Sequence, residues 1–179
     1  KNNFGKPEYL ALALDAAHEA MTLLKNNNNT LPLSKNSTIL VAGPSAQSIT
    51  ALNGCWSYTW QGNDDQWYPA GSKTILQAIK DKAGEKNVIT TTVPGFNNPA
   101  NYDIASLKRA AAKASVIVLC IGEDAYAESP GNTRDLALPD EQVELVKAAA
   151  MTGKPVILVL TEGRPRFITN IEPVCSGIL

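Results

Sequence analysis

Two stretches of the 179-residue sequence gather side chains able to do chemistry. Residues 122–135 read Gly-Glu-Asp-Ala-Tyr-Ala-Glu-Ser-Pro-Gly-Asn-Thr-Arg-Asp and carry the acids Glu123, Asp124, Glu128 and Asp135 beside Arg134. Carboxylates in such a stretch serve as general acid or base, bind a metal, or stay solvated, and residue type alone leaves the three roles open. Residues 53–71 hold all three tryptophans, Trp56, Trp60 and Trp67, together with Tyr58 and Tyr68. A packed core spreads its aromatics, whereas this segment concentrates them. Flat amphipathic rings on a loop suit a ligand with apolar faces and polar edges, as sugars have. The competing role is to anchor the loop to its own sheet or to a neighbouring domain. That role is assigned to Trp67, and both roles stay open for Trp56 and Trp60.

Other chemistries lack their parts. The turn Ala42-Gly43-Pro44-Ser45-Ala46 contains neither G-x-G-x-x-G nor G-x-x-x-x-G-K-[ST], so dinucleotide and P-loop nucleotide binding have no phosphate cradle here. His18, the single histidine, falls on the first expected helix, away from both stretches, and is read as a solvent-edge residue. A Ser/His or Cys/His pair cannot be built around it, nor a histidine metal site. Cys55, Cys120 and Cys175 show no C-x-x-C spacing, against a zinc site or a disulfide framework. Cys120 lies in an apolar run and is read as a small core residue.

The elements that must position the two stretches follow from periodicity. Apolar residues at 10, 13, 14, 17, 20, 21 and 24 have the three-and-four spacing of one buried helix face, ending at Lys25 and the asparagines 26–29. Strands are expected at residues 38–42, 87–93, 115–121 and 155–160, with 87–93 more polar and nearer an edge. The third and fourth are apolar at nearly every position, as a parallel sheet covered on both faces requires. Helices are expected between them: residues 74–83 stopped by Gly84, a helix capped by Asp103 through Ala114, and one from Pro139 through Ala150. This alternation predicts an α/β fold with a doubly wound, mostly parallel sheet flanked by helices. With flavodoxin-like strand order 2-1-3-4-5, the two long connections at 53–71 and 122–138 flank the point where the order reverses. Ligands bind there in such sheets.

Composition sets the outer bounds. With 44% hydrophobic and 18% charged residues the chain is ordinary globular material, and a folded chain of this mass exposes about 8,000 Å². A formal net charge of −1 gives no electrostatic footprint for nucleic acid or an anionic membrane, so neither is an expected partner. The longest apolar runs fall far short of a bilayer span. Because an apolar strand is just beginning at Gly177-Ile178-Leu179, the sequence is expected to be a piece of a longer polypeptide, truncated at its C-terminal end.

An ordered set of segments resembles a known family. These are Met21-Thr22-Leu23-Leu24-Lys25-Asn26 followed by Leu31-Pro32-Leu33, the strand into Gly43-Pro44, and Asn53-Gly54-Cys55-Trp56-Ser57-Tyr58-Thr59-Trp60-Gln61-Gly62. Ile121-Gly122-Glu123 then leads through Glu128 to Leu136-Ala137-Leu138-Pro139. Single pieces are unremarkable, but together and in this order they resemble the second domain of family 3 glycoside hydrolases, in the β-glucosidase and β-glucan exohydrolase branch, over nearly the whole chain.

The resemblance implies a retaining, exo-acting β-glycosidase that removes terminal β-D-glucosyl residues from an oligosaccharide or β-glucoside. In that family an upstream (β/α)8 barrel bears the nucleophilic aspartate and the α/β sandwich supplies the general acid/base. The implied acid/base is Glu128, with Trp60 and Trp56 lining the aglycone side. No cofactor is implied. The barrel is absent from this chain, residues 1–8 would be the linker leaving it, and residues 9–179 the sandwich. Location outside the cell or in the periplasm is also implied. Glu123 and Asp124 are the rival acids, Glu123 being read as a loop brace or as the partner of a base such as Arg134. Arg134 and Asp135 are read as a loop-stabilising pair. A non-catalytic carbohydrate-binding or scaffold domain that keeps the fold and the tryptophans is the alternative.

Overall fold

The computed structural model describes residues 5–91, 95–96 and 102–179. A six-stranded sheet forms from β1 (Lys25–Asn26), β2 (Ile39–Ala42), β3 (Val88–Thr90), β4 (Val116–Gly122), β5 (Val156–Thr161) and β6 (Gly177–Ile178). The spatial order is β1-β6-β5-β4-β2-β3, with every pairing parallel except β1 on β6. The expected doubly wound sheet is present, and its five parallel strands follow the 2-1-3-4-5 order. β3 lies at the edge that its polar composition indicated; residues 92 and 93 of that expected strand fall outside the described residues.

β4 is buried at all seven positions because helices cover both of its faces. Ile117, Leu119 and Ile121 join Leu40, Leu107 and Val146 in the core under α4 (Ile104–Ala111) and α5 (Asp140–Ala150). The alternate residues Val116, Val118 and Cys120 pack with Ile39, Val41 and Leu76 under α3 (Ile75–Ala83). This period-two division over two dry faces explains why the strand reads as an unbroken apolar run. Thr74 accepts from the backbone N–H of Gln77, and Asp103 from that of Ser106, so both helices begin on side-chain caps.

Two expectations are corrected at the N-terminal side. The helix α1 (Pro7–Ala20) stops at Ala20, where Met21 turns extended, so Lys25 and Asn26 form a strand instead of a helix end. No residue of α1 is buried; Leu10 and Leu14, on the stripe expected to be covered, are 63% and 56% exposed. Spacing specifies an apolar stripe but not what lies against it. The exposed α1 and the protruding tryptophan loop account for an accessible surface of 10798 Å², above the size expectation. Pro7 and Glu8, within the stretch read as linker, are helical, and residues 1–4 lie outside the described residues.

Candidate functional site at the carboxyl edge of the sheet

β2 and β4 are neighbours, with Ile39 opposite Val116, and the order reverses between them. The tryptophan segment follows β2 through a short helix, α2 (Thr50–Asn53), and the acidic segment leaves β4 directly. Gly122 makes that departure possible. Its φ is +137° and a Cβ there would sit 2.0 Å from the carbonyl oxygen of Thr161, so only glycine lets β4 run this close to β5 and turn outward.

The acids of the loop separate by environment. Glu123 is buried, and its carboxylate accepts from the Arg166 guanidinium, from Arg164 Nε at 3.3 Å and from the Tyr126 hydroxyl at 3.0 Å. It is a brace, as one reading had it, but its bases are Arg164 and Arg166 rather than Arg134. Asp124 is spent locally, accepting from its neighbour's Ala125 N–H at 2.9 Å and from Thr50 Oγ1 at 3.3 Å. The expected Arg134–Asp135 pair is not formed among the described residues. Asp135 instead accepts the Ala137 N–H at 2.8 Å, turning the chain back toward α5. The reason is distance along the fold: the segment after β5 delivers two guanidiniums to the same edge before Arg134 can compete.

Glu128 differs from its neighbours. It is exposed, its carboxyl makes no hydrogen bond or ion pair among the described residues, and its backbone sits at φ +53°, ψ −136°. A non-glycine residue in that region costs about 1–3 kcal/mol and persists only where its surroundings hold it. Those surroundings are visible on both sides. Gly131 N–H donates to the Glu128 carbonyl at 2.9 Å, closing a turn over Ser129–Gly131. Arg164 donates to the Gly131 carbonyl and, through Nε at 2.6 Å, to the Tyr126 hydroxyl, with its guanidinium 4.3 Å from the tyrosine ring centre. Before Glu128, the side chain of Gln61 pairs with both backbone groups of Ala127, Nε2 to O at 3.2 Å and N to Oε1 at 2.9 Å.

The tryptophan loop is tightly closed at its neck. A Cβ on Gly62 would lie 2.0 Å from the Gly54 carbonyl oxygen, and Trp56 N–H donates to the Trp60 carbonyl at 3.1 Å. Trp56 and Trp60 stand outward, 67% and 48% exposed, with ring centres 6.4 Å apart and planes tilted by 51°. Tyr68 packs edge-on against Tyr58 at 5.0 Å and bonds Ser57 at 2.8 Å, supporting the loop from within. Trp67 is exposed and donates to Asp64 at 3.1 Å, so it fastens its own turn and does not anchor the loop to the sheet.

A cleft of about 420 Å³ lies under the acidic loop, lined by Gln61, Tyr102, Glu123, Tyr126, Gln142 and Arg166. Glu128, Trp56 and Trp60 stand outside it, on the open rim. A larger groove of about 1060 Å³ between α3 and β5 is walled by aliphatic residues such as Leu33, Ile79 and Val159 and contains neither Glu128 nor a tryptophan. Among the described residues no group of three His, Cys, Asp or Glu side chains is placed to hold a metal ion. No helix there is long and apolar enough to cross a membrane. His18 is exposed on α1 and Cys120 is fully buried. Sequence reasoning missed Gln61, Arg164 and Arg166. The arginines follow a third strand whose carboxyl end reaches the same edge, a topological signal that was available; a lone glutamine offers none.

Residues 21–179 match the Glycosyl hydrolase family 3 C-terminal domain. The chain belongs to that family. The family 3 domain is 37% identical to the lysosomal beta glucosidase of Dictyostelium discoideum, over 99% of this chain and 22% of that protein. It is 30% identical to the periplasmic beta-glucosidase of Salmonella typhimurium, over 93% of this chain and 24% of the relative. Beta-xylosidases are also among the relatives it matches. The exo-1,3/1,4-beta-glucanase ExoP of a Pseudoalteromonas species, in its Q683A form, superposes with a TM-score of 0.77 at 28% identity, covering 97% of this chain and 27% of that one. The family 3 domain thus spans about a quarter of the length of these proteins, which are glycoside hydrolases, one lysosomal and one periplasmic among them.

Proposed function

We propose that this domain supplies the general acid/base of a retaining, exo-acting β-glycosidase, with Glu128 in that role and Trp60 and Trp56 on the aglycone side. The observation that carries the reading is the contrast among the loop acids: Glu123 and Asp124 are consumed by internal partners, whereas Glu128 is presented outward beside the tryptophan loop. An upstream (β/α)8 barrel, joined through the residues before α1, would contribute the nucleophilic carboxylate and most of the glycone contacts. Glu128 and the tryptophans stand on an open rim, as half of a site does when the other half docks against it.

The chemistry needs two carboxyl groups about 5–5.5 Å apart across the scissile bond. The barrel carboxylate attacks the anomeric carbon while Glu128 gives its proton to the departing glycosidic oxygen. A water then attacks the glycosyl-enzyme ester, Glu128 takes the proton from it, and the carboxylate leaves with its electron pair. Trp60 and Trp56 would hold the leaving sugar by its apolar face. Terminal β-D-glucosyl residues of an oligosaccharide or β-glucoside are the substrate favoured here, the β-glucosidase and exoglucanase relatives supporting glucose and the β-xylosidase relatives making xylose the competitor. The relatives' compartments support a secreted or periplasmic protein.

The test is Glu128→Ala in the full-length protein that contains this domain. Loss of general acid catalysis should lower the rate on a β-linked disaccharide about 10²–10⁴-fold. A dinitrophenyl β-glucoside, whose leaving group needs no proton, should be spared, and azide should accelerate its turnover. Equal rates for variant and parent on both substrates would remove Glu128 from catalysis and favour a non-catalytic carbohydrate-binding role.

A further inference from the structure

We infer that Gln61 is a positioning residue that sets the place of Glu128; the inference rests on the reading of Glu128 as the acid/base. The argument begins with the backbone. Glu128 occupies a conformation that favours glycine, so the loop does not hold that shape by local preference. The residue before it, Ala127, is 2% exposed, and both of its backbone hydrogen-bonding groups are taken by one side chain, that of Gln61. A primary amide presents one acceptor and two donors in a plane, which matches the N–H and C=O of a single extended residue. This is a two-point clasp: it fixes both the position and the rotation of the Ala127 peptide groups, and hence the direction in which the Glu128 Cα–Cβ bond leaves the chain.

The clasp comes from the tryptophan loop. Gln61 directly follows Trp60, and Gly62 behind it is locked against Gly54, so the amide projects from a fixed neck. The side chain that would grip the leaving sugar and the one that would protonate it are therefore referenced to each other through one residue. An acid displaced by about 1 Å from its proton acceptor loses on the order of 10²-fold in rate, and only for leaving groups that need the proton. This selectivity distinguishes positioning from a contribution to folding alone. A folding defect lowers the amount of active enzyme and depresses all substrates alike.

The experiment uses the full-length enzyme with Gln61→Met, which keeps the length of the side chain and removes both hydrogen bonds, and Gln61→Glu, which keeps the acceptor for Ala127 N–H and loses the donor. Values of kcat/KM are measured over aryl β-glucosides of increasing leaving-group pKa and on a disaccharide, with Glu128→Ala in parallel. We expect Gln61→Met to lose at least about 10-fold on the disaccharide and under about 3-fold on the dinitrophenyl glucoside, with Gln61→Glu between it and the parent. A loss of equal size on every substrate, or none, overturns the inference while leaving Glu128 in place if Glu128→Ala shows its own selective loss. If Glu128→Ala shows no selectivity, the acid/base reading fails and the inference falls with it. Should Gln61→Met give no soluble enzyme, Gln61→Glu alone decides by the same ratio.

Discussion

The side-chain amide of Gln142 occupies both backbone hydrogen-bonding positions of Gly122: Oε1 accepts from its N–H at 2.9 Å and Nε2 donates to its carbonyl at 3.0 Å. Gln142 is only 3% exposed, so the first turn of α5 is riveted to the end of β4 in a water-free setting. The acidic loop starts from that point.

Gln142→Leu should accordingly be costly although it places an apolar residue in an apolar neighbourhood. The substitution leaves a buried N–H and a buried C=O without partners, at about 1–3 kcal/mol each, so a loss of about 2–5 kcal/mol is expected. Urea unfolding of this chain reads it directly from the shift in midpoint at constant slope. A change below about 0.5 kcal/mol would mean that water reaches Gly122.

The Glu123 site gives a second prediction. Arg166 reaches Glu123 and also donates to the carbonyls of Asp135 and Ala137, both at 3.1 Å, so one guanidinium ties the β5 end to both ends of the acidic loop. Arg166→Met removes those bonds and leaves Glu123 with Arg164 alone. Breaking a buried pair from one side costs about 3–5 kcal/mol, largely because the remaining charge stays buried. The double variant Glu123→Gln, Arg166→Met should regain part of the loss, and a denaturant double-mutant cycle measures it. Strict additivity of the two single effects would contradict the pairing.

Glu162 predicts a pH dependence. Burial pushes its carboxyl above the ordinary glutamate range, and the negative Glu123 acts in the same direction, while the Arg166 backbone N–H and guanidinium oppose both. Its Oε1 is buried with no hydrogen-bond partner among the described residues. With the folded value raised, the native state keeps a proton that the unfolded chain has already released above about pH 4.3. The protein therefore loses stability as pH rises from there through the folded value. Glu162→Gln is neutral throughout and removes this loss, so its Tm relative to the parent should climb between pH 4 and pH 7. A Tm difference that is flat over that range refutes the assignment.

The elements legible in the sequence were those with a collective signal. The apolar run of β4 indicated a sheet covered twice, the caps Thr74 and Asp103 marked where helices begin, and two overlong connections after strands marked the edge where Glu128 and Trp60 now stand. Pairwise specificity was not legible. Whether Glu123 pairs with Arg134, close in sequence, or with Arg166, about forty positions on, depends on strand lengths and loop paths to within an ångström, and residue type carries neither. The two-residue strand Lys25–Asn26 is too short for any periodicity, and it exists because β6 offers it a partner, not through a preference of its own.

That short antiparallel strand also decides how the sheet meets other chains. Without it, β6 would present bare amide and carbonyl groups to any extended peptide, the usual template for strand addition and fibril growth. β1 covers them with only two residues, Lys25 Nζ is committed to Glu172 Oε1 at 2.5 Å, and the opposite margin, β3, runs for only three residues. A sheet so trimmed offers little backbone for a neighbour to copy. Recruitment into a larger assembly then falls to side-chain surfaces, whose shape and charge discriminate between neighbours, and not to the backbone ladder, which is the same in every chain.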